Sequence, residues 1–264
     1  FQQLIAKPVR RVVTASSMSI YGEGLYLDQD GGTWLEVERG EKPGPGRWDP
    51  LDDQGRALIP APTPEWKRPA LPSVYALGKY VQERLTLTLT RAYGMEGAAL
   101  RLWNVYGPGQ ALSNPYTGVL AIFSSRVANG QSPLIFEDGE QRRDFVYVDD
   151  VARAFATALF HDKADRQVFN VGSGDVRSVR EVAASVARAL GREDVQPEIT
   201  GRYRAGDTRH CVADVSRIEA ELGWKAERRF DDGLVELAEW VARQEAEDRS
   251  AEAQAELSAR GLVA

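Results

Sequence analysis

The sequence predicts an α/β fold, and three observations carry that prediction. Short apolar runs at residues 8–17, 100–103, 134–136 and 167–171 alternate with longer segments whose apolar residues recur every three or four positions. Helix-opening residues precede several of those segments: Ser73, Asp149 and the pair Ser178/Glu181. Glycines at 191 and 223 close two of them.

Taken in order, PVRRVVTASS (8–17) is a valine-rich strand that ends in small hydroxyl residues. Residues 22–72 are rich in Gly, Pro, Asp and Trp, lack helical periodicity, and read as an insertion or lid. Pro72 and Ser73 start a helix running to about residue 93. A short buried strand follows at 100–103, then a turn at 104–110 (NVYGPGQ), a helix at 118–128, a strand at 134–136 and a polar turn at 139–142. Asp149 opens a helix to about Phe160, and the strand 167–171 stops at Gly172-Ser173-Gly174. Ser178 and Glu181 fit a capping box before the apolar face Val182, Val186, Leu190. A short helix at 216–222 and a last one from Asp231 through Trp240 complete the series. The charged, Ala-rich tail 245–264 is expected to be a frayed helix or disordered.

Composition narrows the function classes. A formal net charge of −6 argues against a nucleic-acid partner. No apolar run reaches the ~18 residues that suggest a membrane span, and the N-terminus has no basic-then-apolar secretory pattern. The single cysteine, Cys211, and two histidines, His161 and His210, cannot assemble a usual zinc site, so no metal is expected. A reducing, cytoplasmic setting is the simplest reading.

Tyr75 and Lys79 form a YxxxK pair. Positions i and i+4 share a helix face, so the ammonium can sit beside the phenol. A phenol has a reference pKa of ~10, and a neighbouring cation lowers it, which would let the tyrosine take an alcohol proton while hydride leaves the same carbon. A hydroxyl such as that of Ser17 would hold the substrate oxygen. Alone, the pair is equally consistent with two unrelated surface residues.

Its surroundings add weight. ASSMSIYGEG, YALGKY, LRLWNVYGPGQ, EDGEQRRDFVYVDDVARA and FNVGSG follow one another in the chain. Together they resemble the extended short-chain dehydrogenase/reductases that act on nucleotide sugars, over about residues 9–240. The resemblance implies a Rossmann-type parallel sheet with a smaller α/β substrate domain. The Gly-rich turn and following acidic residue that open such a sheet are not found before Ser17, and FQQLIAK reads as the end of a helix. The sheet is therefore expected to be incomplete at its N-terminal half, and the chain as given to be inactive if nothing precedes it. The remainder of the NAD-binding domain is expected at 1–110 and 143–175, with 22–72 inserted, and the nucleotide-sugar-binding domain at 111–142 and 176–244.

The resemblance also implies roles. Ser17, Tyr75 and Lys79 match the catalytic hydroxyl, the base and the residue that tunes the base and grips the nicotinamide ribose. Leu102 and Trp103 match backbone near the nicotinamide. Asn104, Arg143 and Arg204 match ligands of the diphosphate, Phe136 the aromatic that stacks on the base, and Asp207 a ribose contact. An arginine fork suits phosphate oxygens, although each arginine could equally be a surface ion pair, Phe136 a core residue and Asn104 a turn former.

Family dehydratases carry an Asp-Glu pair directly after the catalytic hydroxyl, and decarboxylating relatives a glutamate at the second of those places. Met18 and Ser19 stand there in this chain. That leaves NAD-dependent 4-epimerization of a dTDP- or UDP-hexose. The string LSNPYTGVLAIFSSRVANGQ and the insertion are similar to the dTDP-rhamnose 4-epimerase branch, and UDP-glucose 4-epimerases are similar too. Residues 22–72 contain no Cys or His, unlike relatives with a small metal-bound lobe. An NADP-dependent reductase or dehydratase and a non-catalytic family member are the alternatives. The family's pairing through a four-helix bundle implies a homodimer that uses the helix at 73–93.

Overall fold

The computed structural model describes residues 1–37, 39, 44, 46–110, 118–203 and 207–244. The strands are β1 (Arg11–Ser17), β2 (Leu25–Leu27), β3 (Thr33–Trp34), β4 (Ile59–Thr63), β5 (Glu96–Leu102), β6 (Asn104–Tyr106), β7 (Leu134–Ile135), β8 (Arg142–Tyr147), β9 (Val168–Val171), β10 (Val176–Ser178), β11 (Glu198–Ile199) and β12 (Val212–Ala213). The helices are α1 (Gln2–Ala6), α2 (Val74–Ala92), α3 (Val119–Ala128), α4 (Val148–Phe160), α5 (Val179–Ala189), α6 (Ser216–Leu222) and α7 (Phe230–Val241). The expected α/β class holds. The expected tail, 245–264, lies outside the described residues.

The sheet that organises the fold is parallel, in the order β1-β5-β9. Its register pairs Ser17 with Leu102 and Leu102 with Val171, so the carboxyl ends of the three strands lie level. Side chains of β5 alternate between two layers. Ala98 and Leu100 join the core made with Val151, Ala154 and Ala158 of α4, Phe169 of β9 and Ile218 of α6. Gly97 and Arg101 face α2: Gly97 lies under Thr90, and Arg101 reaches Glu83.

Local signals place three helix ends as expected, whereas α4 opens on Tyr147 with no side-chain cap and Asp149, expected as its cap, lies in its first turn. The Ser73 side chain accepts the Ala76 N–H at 3.1 Å and starts α2. Ser178 and Glu181 make the reciprocal capping box of α5. Gly223, left-handed at φ 67°, closes α6. The far end of α4 is closed from another strand. The buried guanidinium of Arg11 donates to the carbonyls of Ala158, Leu159 and His161 at 2.7–3.0 Å.

A second core packs α3, α5 and α7 on Tyr106, Phe145 and Tyr147. The strands beneath run in the order β10-β8-β6, with β8 parallel to β6 and antiparallel to β10. Here the structure corrects the sequence reading twice. Residues 104–106, expected in a turn, are a strand, and Arg142, expected to end the polar turn 139–142, is the first residue of β8. β8 also serves both cores, Phe145 and Tyr147 one and Val146 the other, so it straddles the boundary expected at 143.

Residues 22–72, read as an insertion or lid, contain strands of their own. They hold β2, β3 and β4, which join β12 in a four-stranded sheet ordered β12-β4-β2-β3. The partner strand lies about 150 residues downstream, so local periodicity carries little trace of the pairing. Tyr26, Trp48 and Leu58 are buried.

Candidate active site

The level carboxyl ends of β1 and β5 put Ser17 beside Leu102. Open parallel sheets take their ligands at that edge. Past the end of β1 the chain turns through a short 3₁₀ segment, Met18–Tyr21. The Ser17 hydroxyl oxygen accepts from the Ser19 backbone N–H at 3.2 Å and from the Ser19 hydroxyl at 2.9 Å. The Ser17 proton is then free to be donated elsewhere.

Helix α2 brings the second part. The Lys79 ammonium donates to the carbonyl of Ala15 at 3.0 Å and lies 3.4 Å from Gln82 Oε1. Ala15 is two residues before Ser17, so the first turns of α2 are tied to the end of β1. Tyr75, one turn before Lys79, is 61% exposed. Leu102 ends β5 and Trp103 follows it: the Trp103 N–H donates to Val171 O at 3.0 Å, and its ring is buried against Tyr21.

Beneath these residues lies a buried polar network that the sequence reading missed. Glu83, fully buried, accepts from Arg101 at 2.8 and 3.0 Å and from the Ser16 hydroxyl at 2.7 Å. Arg101 also donates to Tyr21 Oη at 2.7 Å, and Tyr21 donates to Asn170 Oδ1 at 2.8 Å. Burial pushes the Tyr21 phenol far above its ordinary range despite Arg101, so Tyr21 stays protonated. One signal could have found the network: Glu83 continues the spacing Tyr75, Lys79, Glu83 along one helix face.

The remaining expected residues lie toward the second core. The Asn104 amide donates to Asp144 O at 2.9 Å. Asp144 is fully buried and holds the turn after β9 by accepting from Ser173 N, Ser173 Oγ and Gly174 N at 2.7–2.9 Å. Burial still raises its carboxyl to about 6. Phe136 is half-buried just past β7. Arg143 donates to the carbonyls of Arg142, Arg209 and Thr208, and its guanidinium lies 3.6 Å from Asp207. The structure thus brings Arg143 and Asp207 together. Arg204 lies outside the described residues.

A second missed cluster sits behind Phe136. Arg209, 1% exposed, donates to Asp49 at 2.7 Å, Glu137 at 3.0 Å and Asp138 at 2.6 and 3.0 Å. His210 Nδ1 accepts the Arg142 N–H at 3.1 Å, which leaves its ring proton on Nε2, 3.0 Å from Asp49 Oδ1. Burial keeps His210 below its usual range. The hydrogen bond from His210, with the one from Arg209, holds Asp49 well below the carboxylate range.

Residues 59–172 match the model of the NAD dependent epimerase/dehydratase family. It is 34% identical to dTDP-L-rhamnose 4-epimerase of Burkholderia thailandensis over 89% of this chain and 64% of that protein. To UDP-glucose 4-epimerase of Mycolicibacterium smegmatis it is 36% identical over 64% of this chain and 52% of that one. Among solved structures, UDP-glucose 4-epimerase of Thermotoga maritima with UDP-glucose superposes with a TM-score of 0.68 at 30% identity, covering 90% of this chain and 65% of that one. The Thermus thermophilus UDP-glucose 4-epimerase complex with NAD gives 0.66 at 29%, covering 92% and 67%. The chain thus spans about half to two-thirds of the length of these relatives. Among the described residues no helix is long and apolar enough to cross a membrane.

Proposed function

We propose that the protein is an NAD-dependent nucleotide-sugar 4-epimerase acting on a dTDP- or UDP-hexose. The observation that carries this reading is the tie from Lys79 to Ala15, which sets the helix bearing Tyr75 against the strand bearing Ser17. The donor set suits a dinucleotide. An ammonium has three N–H groups, and Ala15 and Gln82 take two, which leaves one for a ribose hydroxyl. NAD bound at that edge supplies an acceptor that takes a hydride and gives it back.

The chain's own residues manage the proton. Tyr75 takes it from the C4 hydroxyl of the sugar as hydride leaves, and returns it once the ketone presents its other face. Ser17 donates to the same oxygen, since its lone pairs already accept from Ser19. Lys79 sets a positive charge one helical turn from the Tyr75 oxygen, facing the negative charge that oxygen carries as phenolate before it takes the proton and again after it returns it. Met18 and Ser19, in the places where a dehydratase carries acids, favour simple epimerization. Leu102 and Trp103 would flank the nicotinamide. Asn104, Phe136, Arg143, Arg204 and Asp207 would hold the nucleotide; that one similar structure holds UDP-glucose and another NAD supports a site for both in this chain.

A cytoplasmic homodimer goes with this reading. The lone thiol, Cys211, is buried and needs no oxidising compartment. On α2, Val74, Leu77, Val81 and Leu85 form an exposed apolar stripe opposite the face of Ala76, Glu83 and Thr90, which suits the helix of a second copy.

The test is Tyr75→Phe assayed with UDP- and dTDP-hexoses. Turnover should fall at least ~10²-fold with nucleotide-sugar affinity nearly intact. Wild-type turnover in that variant would remove Tyr75 as the base. Absence of epimerization in the protein expressed from its complete reading frame and supplied with NAD would overturn the function itself.

A further inference from the structure

We propose that Arg39 and Asp49, both in the segment 22–72, are positioning residues for the nucleotide end of this site. The inference rests on the epimerase reading above. Four segments carry the proposed nucleotide contacts or adjoin them, and the cluster around Arg209 ties them together. Arg209 Nε is bound to Asp49, and its terminal nitrogens to Glu137 and Asp138, the two residues after Phe136. Its backbone N–H donates to Glu23 at 2.6 Å, and its carbonyl receives Arg143. Arg39 completes the frame. Its NH1 donates to Glu137 at 2.6 Å and lies 3.5 Å from the carbonyl of Asp207, and its NH2 donates to Trp48 O at 3.1 Å.

Glu137 is the pivot. Its backbone is left-handed, φ 57°, a conformation that favours glycine, and its side chain is 2% exposed. Two guanidiniums share its carboxylate and hold the turn that fixes where Phe136 points. The charge count argues for a scaffold and against a further anion site. Asp49, Glu137 and Asp138 outnumber Arg39 and Arg209, His210 is neutral, and four of the five guanidinium N–H groups of Arg209 already reach carboxylates. The cluster therefore does not hold phosphate. It fixes Phe136, Arg143 and Asp207 relative to one another, so that binding a nucleotide need not order them.

The test is calorimetric titration of UDP and dTDP into the unaltered protein and into Arg39→Gln, Asp49→Asn and Arg39→Lys, well below each melting temperature. Arg39→Gln and Asp49→Asn should each bind at least ~10-fold more weakly, and Arg39→Lys, which keeps the charge on Glu137, should recover part of that loss. A purely architectural role would lower the melting temperature and leave the affinity of the folded protein as it was. Binding by Arg39→Gln and Asp49→Asn within about twofold of the unaltered protein would overturn the positioning role and leave the epimerase reading standing. No binding of either nucleotide by the unaltered protein would remove the epimerase reading, and this inference with it.

Discussion

Replacing Glu83 by glutamine tests whether the network under the site is built as described. Both carboxylate oxygens of Glu83 face Arg101, and one also takes the Ser16 hydroxyl. Glutamine keeps the shape but removes the charge, and its NH₂ group must oppose a guanidinium N–H. Arg101, 5% exposed, is then left with Tyr21 and the Glu65 carbonyl as partners and no counter-charge. Breaking one side of a buried ion pair costs about 3–5 kcal/mol. At roughly 2–4 °C per kcal/mol for a chain of this size, the melting temperature should fall by roughly 6–20 °C. Urea unfolding followed by tryptophan fluorescence, run beside a thermal scan, measures both. Replacing the pair together, Glu83→Leu with Arg101→Leu, should recover a large part of the loss, since the penalty comes from the stranded charge. A Glu83→Gln protein melting within about 2 °C of wild type would refute the claim that Arg101 depends on this carboxylate.

Four further outcomes follow. Gly172→Ala would set a Cβ 2.5 Å from Ala213 Cβ and 2.7 Å from Asp144 Oδ2, so it should destabilise by about 1–3 kcal/mol in urea unfolding, and an unchanged midpoint would deny that packing. Asp144 has its carboxyl raised to about 6 by burial, so its contribution is complete below the unfolded value of ~3.9 and lost as pH rises to about 6; Asp144→Asn should flatten the fall of the urea midpoint across that window. Asp49 runs the other way: held below its ordinary range, it stabilises above about pH 4 and ceases to as acid protonates it, so Asp49→Asn should blunt acid unfolding. For assembly, Val81→Glu on the exposed stripe of α2 should convert a dimer into a monomer in size-exclusion chromatography with light scattering, and a wild-type monomer would reject the homodimer.

What was legible in the sequence was local. Ser73, the Ser178/Glu181 box and Gly223 declare helix ends because caps act within four residues, and all three are where they were expected. Tyr75 and Lys79 could be paired because i and i+4 share a face. What failed was non-local. β4 looks like a proline-rich loop, IPAPT, until β2 and β12 bracket it. β8 begins with two arginines because its first residues lie at the end where the nucleotide is proposed to bind, and its last three lie in the cores. On α2 the apolar period points the wrong way. Val74, Leu77, Val81 and Leu85 face out, while the face on the sheet carries Ala76, Glu83, Thr86 and Thr90. Arg209 was illegible for a related reason: its three carboxylate partners come from two distant segments, and nothing beside it in sequence announces them.

The same contrast decides what the segment 22–72 does. Read by composition, it was an insertion or lid, and a lid must leave its seat at low cost. This segment is held at both ends by buried polar groups. Near its start, Glu23 accepts the backbone N–H groups of Arg209 and His210, and Arg39 and Asp49 then engage Glu137 and Arg209. Near its end, Thr63 O accepts from Asn170, Glu65 Oε1 accepts the Asn170 N–H at 2.8 Å, and Glu65 O takes Arg101. Lifting it would take Arg39 from Glu137, Asp49 from Arg209 and Glu23 from two backbone N–H groups, at about 1–3 kcal/mol for each buried polar group left without a partner. The segment is therefore part of the wall. Its first half stands behind the nucleotide end and its last residues behind the Tyr21–Arg101–Glu83 network, so it braces both halves of the proposed site at once.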